Sequence, residues 1–153
     1  MTNALRKAWR EVVAPMWRRP QEQQVAALCY REDDEGDKKV LLVTSRTNKR
    51  WILPKGWPID GMNDSEAAMQ EAWEEAGVKK ATAEPEAFAR FRTKKLRDGG
   101  VPAPVEMKVF KVAVAKTKSD YPEASERKRK WVSPEKAAQM VDEPALQNIL
   151  RTL

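Results

Sequence analysis

The sequence predicts an α/β domain of the α+β type, with a mixed central β-sheet sandwiched by helices. Three observations lead there. Short runs rich in apolar and β-branched residues come first, one strongly marked helix interrupts them near positions 64–76, and two further helix starts follow position 132. This order suits a mixed sheet covered by helices; a doubly wound nucleotide fold would alternate the two. At 153 residues the chain is one domain's worth, long enough to bury a core.

The elements follow in order. Residues 3–19 mix basic side chains with Leu5, Trp9, Val12, Val13, Met16 and Trp17, and read as an arm packed on its own domain; a membrane-surface helix is the alternative. Residues 25–30 and 40–46 are strand-like and are separated by the polar, glycine-containing stretch 32–39, which is the pattern of a hairpin. Trp51, Ile52 and Leu53 form a short third strand, stopped by Pro54. Asp64 or Ser65 can cap a helix over 66–76, with Gly77 as the residue that ends it. Residues 87–96 and 105–115 are two longer strands joined by a turn at Asp98, Gly99 and Gly100, and Trp131 and Val132 make a short last one. Ser133-Pro134 opens one helix and Glu143-Pro144 another, the latter with an apolar stripe of Leu146, Ile149, Leu150 and Leu153.

Composition excludes much chemistry. There is no histidine, so histidine general bases, serine–histidine triads and histidine metal sites are impossible. The single cysteine, Cys29, allows neither an internal disulfide nor a cysteine-built zinc site, and its apolar surroundings mark it as a buried, inert thiol. Any metal ligands must be carboxylates and carbonyls, which suit Mg²⁺ or Mn²⁺. A formal net charge of +6 attracts polyanions, whether nucleic acid, anionic lipid or a phosphate-crowded small molecule. No run is long enough to span a bilayer and no apolar leader follows the start, so a cytoplasmic location and no membrane partner are expected.

The chemically informative segment is 64–78. On a helix, Ala68, Met69, Ala72 and Ala76 share a face that can pack on the sheet. Glu71, Glu74 and Glu75 gather on another, since residues three and four apart are neighbours. Such a cluster is unfavourable by a few tenths of a kcal/mol per pair. The last turn, where the helix dipole is negative, costs roughly 0.3–1 kcal/mol more. A divalent cation would turn repulsion into ligation; a solvated acidic face is the bland alternative. Just upstream, Trp51-Ile52-Leu53-Pro54-Lys55-Gly56-Trp57-Pro58 is a strand running into a sharply bent loop, able to turn a backbone carbonyl toward the carboxylates.

Residues 56–78 resemble the Nudix box. Gly56, Glu71, Glu74, Glu75, Gly77 and Val78 match in register without a gap. Two positions depart: Met62 stands where the box has its first glutamate, and Gln70 where it has its arginine. Losing both members of that bracing pair leaves no charge unpaired, and Asp60, Asp64 or Glu66 are available to brace instead. The similarity extends over roughly 22–142. Ala26-Ala27-Leu28-Cys29-Tyr30, the run 40–46, Arg50-Trp51-Ile52-Leu53-Pro54 and Arg127-Lys128-Arg129-Lys130-Trp131 resemble the diphosphoinositol polyphosphate phosphohydrolase branch.

The resemblance implies a Nudix domain over 21–153 after a basic arm at 1–20. It implies Glu71 and Glu75 as metal ligands helped by the Lys55 carbonyl, and Glu74 as general base or further ligand. Thr44, Ser45 and Arg46 would line a phosphate site, with Lys55 and Gly56 beside it and Arg50 as a secondary candidate. The implied reaction is hydrolysis of a diphosphate linkage with Mg²⁺ or Mn²⁺, first of all in a diphosphoinositol polyphosphate-like substrate. A dinucleoside polyphosphate or nucleoside triphosphate is the alternative, for which Trp57 is the stacking candidate. A non-catalytic polyanion- or RNA-binding module comes third, nucleic acid being the less favoured partner, and the oligomeric state stays open. The remaining basic residues (Lys49, Arg92, Lys94, Lys95, Arg97 and the run 127–130) read as a solvated rim, and Glu106 as a surface position, an additional ligand or base being its alternative.

Overall fold

A computed structural model describes residues 22–96 and 102–153. Eight strands form one mixed sheet: β1 (Glu22–Glu32), β2 (Lys38–Thr44), β3 (Trp51–Ile52), β4 (Lys55–Gly56), β5 (Val78–Ala83), β6 (Ala89–Leu96), β7 (Pro102–Thr117) and β8 (Arg129–Val132). Three helices accompany it: α1 (Asp64–Ala76), α2 (Pro134–Met140) and α3 (Pro144–Leu150). The α+β class expected from the sequence is the one observed.

The backbone of the sheet is the parallel pairing of β1 with β7, running from Glu22 opposite Val105 to Tyr30 opposite Ala113. On its other edge β7 takes β6 and then β5, both antiparallel. The alternation of β1 sorts its side chains between two cores. Val25, Ala27 and Cys29 face α1 together with Ala67, Ala68, Ala72, Ala76, Phe110 and Val112. Ala26 and Leu28 face α2 and α3 together with Met107, Val109, Ala138, Leu146 and Leu150. The alanine stripe of α1 lets that helix sit close on the sheet, which fixes where its glutamates emerge. No helix among the described residues is long and apolar enough to cross a membrane.

Several expectations are refined. The helix cap is neither Asp64 nor Ser65 but Asn63, whose side chain accepts from the Glu66 amide while Glu66 reaches back to the Asn63 amide. Asp64 instead binds Lys108 at 2.9 Å, tying the start of α1 to β7. Gly77 ends α1 in the left-handed region, with φ of 72°. β4 and β5 are strands that the local pattern of residues does not announce. β5 is Val-Lys-Lys-Ala-Thr-Ala, poor in strand formers, and it is imposed by pairing with the far half of β7 through a bulge. The arm at 3–19 and the turn at 98–100 lie outside the described residues.

Candidate active site

The site exists because β1 changes partners. β2 pairs with β1 only from Tyr30 to Glu32, and β4 takes the place beside Val25 and Ala26. The Ala27 amide donates to the Pro54 carbonyl at 2.9 Å, anchoring the chain immediately before Lys55 and Gly56. A cleft of about 1110 Å³ results. Ser45, Arg46 and Arg50 line it from the loop after β2, Lys55 and Gly56 from β4, and Glu71, Glu74 and Glu75 from α1.

Glu75 is buried at 4% exposure. Its carboxylate touches that of Glu71, and its Oε1 accepts from the Lys55 amide at 3.4 Å. Burial pushes Glu75 up to about 8, and the hydrogen bond it donates to Glu71 adds to the rise. Glu71 is also raised, by burial first and then by the charge of Glu74, although the proton supplied by Glu75 works the other way. Without a cation, then, the two carboxyls share a proton between them. Gly56 makes the close approach possible, since a Cβ there would fall inside the Glu71 carboxylate. Among the described residues no three carboxylates come together as a ready metal cage. A pair of touching carboxylates that binds a proton is nonetheless a donor set suited to Mg²⁺, which keeps several waters and is commonly held through one or two carboxylates plus substrate phosphates.

The cationic side is built around Lys55 and Arg127. Burial lowers the Lys55 ammonium first, and Lys95 lowers it further, while Glu75 opposes the shift; its Nζ reaches Gln24 Oε1 at 3.5 Å. Arg46 is 63% exposed and lies 3.8 Å from Glu123 and 3.9 Å from Glu126. The Arg50 amide donates to Ser45 Oγ at 3.0 Å, closing the loop between β2 and β3. Trp57 is exposed on the lip of the cleft, with Lys95 Nζ 4.8 Å from its ring centroid, and Phe91 lines the wall.

Thr44 is the candidate that the structure sets apart. It is buried outside the cleft lining, and its hydroxyl accepts from the Lys128 amide at 2.9 Å. Glu106, as a strand position away from the cleft, pairs with Arg90 at 3.8 Å. In the basic run 127–130, Lys128 and Lys130 are exposed as expected of a solvated rim, whereas Arg127 and Arg129 turn inward. Arg127 is buried against Glu75 and Glu123, and Arg129 caps α1 by donating to the Ala76 carbonyl at 2.7 Å while lying over the Tyr121 ring. Glu123 and Gln24, which also line the cleft, were not singled out. The usable signal for Arg127 was indirect: α1 carries three clustered glutamates and no lysine or arginine of its own.

The NUDIX domain family matches residues 22–153. Nudix hydrolase 21, chloroplastic, of Arabidopsis thaliana is 32% identical over 116 residues, covering 72% of this chain and 54% of the relative, so the chain spans about half that protein's length. Diphosphoinositol polyphosphate phosphohydrolase 3-alpha of Mus musculus is 40% identical over 58 residues, 38% of this chain and 35% of the relative. The crystal structure of a C. elegans Ap4A hydrolase superposes with a TM-score of 0.60 at 22% identity, covering 86% of this chain and 94% of that one, a likeness of fold. With the matched region running through β1, the carboxylate helix and the last helix, this chain belongs to the Nudix family.

Proposed function

We propose that this chain is a metal-dependent pyrophosphohydrolase that cleaves a diphosphate linkage in a phosphate-rich small molecule, a diphosphoinositol polyphosphate-like compound being the first choice. The observation that carries the reading is the touching pair Glu71–Glu75 on a helix with no cation of its own, facing a cleft lined by Arg46, Arg50 and Lys55. Glu71 and Glu75 would hold Mg²⁺ or Mn²⁺, with the Lys55 carbonyl as a further donor. When bound, such an ion supplies Lewis-acid charge for the developing phosphate oxyanions and acidifies the attacking water. Glu74 accepts the proton of that water as its oxygen bonds to phosphorus and the bridging P–O bond breaks, the leaving phosphate departing with the bridging oxygen. Arg46, Arg50, Ser45 and Lys55 hold the remaining phosphates, and Gly56 leaves the room that the Glu71 carboxylate occupies.

The choice of substrate is supported by the stretch shared with the mouse diphosphoinositol polyphosphate phosphohydrolase and by the cationic cleft wall. One observation favours a nucleotide instead: Trp57, at 42% exposure, offers a ring at the cleft lip rather than packing in the core. Magnesium-dependent assays run side by side on a diphosphoinositol pentakisphosphate and on diadenosine tetraphosphate decide between them. Faster turnover of the former is expected. Preference for the latter overturns the first choice, and binding without turnover of either would make the chain a binding module.

A further inference from the structure

The touching Glu71–Glu75 pair on α1 has no cationic side chain beside it on its own helix. We propose that Arg127, in the segment leading into β8, is the positioning residue that supplies one, locking Glu75 into the orientation the site needs. The inference rests on the function proposed above and concerns how this chain builds that site. The Arg127 side chain is 8% exposed, and its guanidinium is engaged on every nitrogen. Nη2 lies 3.5 Å from Glu75 Oε1 and 3.1 Å from Glu123 Oε1, Nε donates to the same Glu123 oxygen at 3.1 Å, and Nη1 donates to the Thr44 carbonyl at 3.0 Å.

A planar guanidinium hydrogen-bonded at β2 and at Glu123 keeps its Nη2 beside Glu75 as an ion-pair partner at 3.5 Å. Glu123 is itself anchored, its amide donating to the Glu74 carbonyl at 2.9 Å. The same Glu75 oxygen also receives the Lys55 amide. Oε1 is thus approached from two sides, by the Arg127 cation and by the Lys55 amide. Arg127 therefore differs from Arg46, which is mostly exposed and available to a substrate. The nitrogens of Arg127 are already committed to protein oxygens, which is the arrangement of a residue acting through Glu75 rather than one gripping phosphate.

The test uses the full chain and Mn²⁺ as probe, with binding followed by electron paramagnetic resonance in the absence of substrate. Removing an outer partner of a ligand commonly lowers metal affinity or activity by roughly 10- to 100-fold. Arg127→Met is expected to weaken Mn²⁺ binding by about that factor, and to lower kcat with KM little changed on whichever of the two assay substrates the wild type hydrolyses. Arg127→Lys, which keeps the charge but cannot fork between Glu75, Glu123 and Thr44, is expected to recover only part. Wild-type Mn²⁺ affinity in Arg127→Met overturns the proposal, whether or not KM rises. Should Arg127→Met be unfolded by circular dichroism, Arg127→Lys decides, and wild-type affinity and kcat in that variant overturn it. A wild type that takes up no Mn²⁺ overturns the proposed function, and this inference with it; a binding-competent wild type with an indifferent Arg127 overturns the inference alone.

Discussion

Gly56 sets how near the chain can bring its backbone to the Glu71 carboxylate, whose atoms are the nearest to where a Cβ would stand. Gly56→Ala is therefore expected to displace Glu71 from Glu75, lowering turnover sharply while destabilising the fold by only about 1–3 kcal/mol, an overpacking cost read from denaturant titration. Glu74 is in a different position, lining the cleft outside the proton-sharing pair. Glu74→Gln should lower kcat by roughly a hundredfold or more, the usual worth of a general base, with an unchanged melting temperature; unimpaired turnover would remove Glu74 from its assigned role. Cys29 supplies an internal control at this scale. Burial pushes its thiol up to about 12, so a thiol reagent at neutral pH should label it only in denaturant.

The element that matters most is α1. Its position depends on ends that are easy to perturb without touching the glutamates. Asn63→Ala removes one half of the capping box and should cost roughly 1 kcal/mol, seen as a fall of about 2–4 °C in Tm. Gly77→Ala should cost more, because φ is positive there and a Cβ would meet the Lys118 carbonyl and Arg129. The helix itself was legible in the sequence, since Ala68, Ala72 and Ala76 against Glu71, Glu74 and Glu75 is a periodic pattern that needs no tertiary information. The cap was misplaced by one or two residues because Asn63, Asp64 and Ser65 are all good cap formers and only the reciprocal bond to Glu66 distinguishes them. β5 was not legible, because a strand of lysines and alanines is made by its partner β7. Arg127 was not legible either: within Arg-Lys-Arg-Lys every residue looks alike, and burial singles out one through contacts with Thr44 and Glu75, both distant in sequence.

For the whole molecule, the carboxylate pair links folding to pH. Glu75 is protonated in the folded, metal-free chain above its ordinary value of 4.5 and up to about 8, where the unfolded chain has lost that proton. The folded state thus binds more protons in that window, so this group's contribution to stability is complete below about 4.5 and is lost as pH rises toward 8. Thermal melts of the metal-free chain should show Tm falling between pH 5 and pH 8, and Mg²⁺ should restore it, since an ion that binds only the folded state stabilises by mass action. The excess of positive charge, +6 over the chain, should make binding of phosphate-rich substrates weaken as salt is raised. The measurement that bears most directly on the central claim is isothermal calorimetry of Mn²⁺ at neutral pH, in buffers of different ionisation heat. It would compare the wild type with the Glu71→Gln/Glu75→Gln double variant. Saturable uptake with proton release in the wild type, absent from the variant, is the predicted result; no uptake by the wild type, or equal uptake by both, would contradict the account.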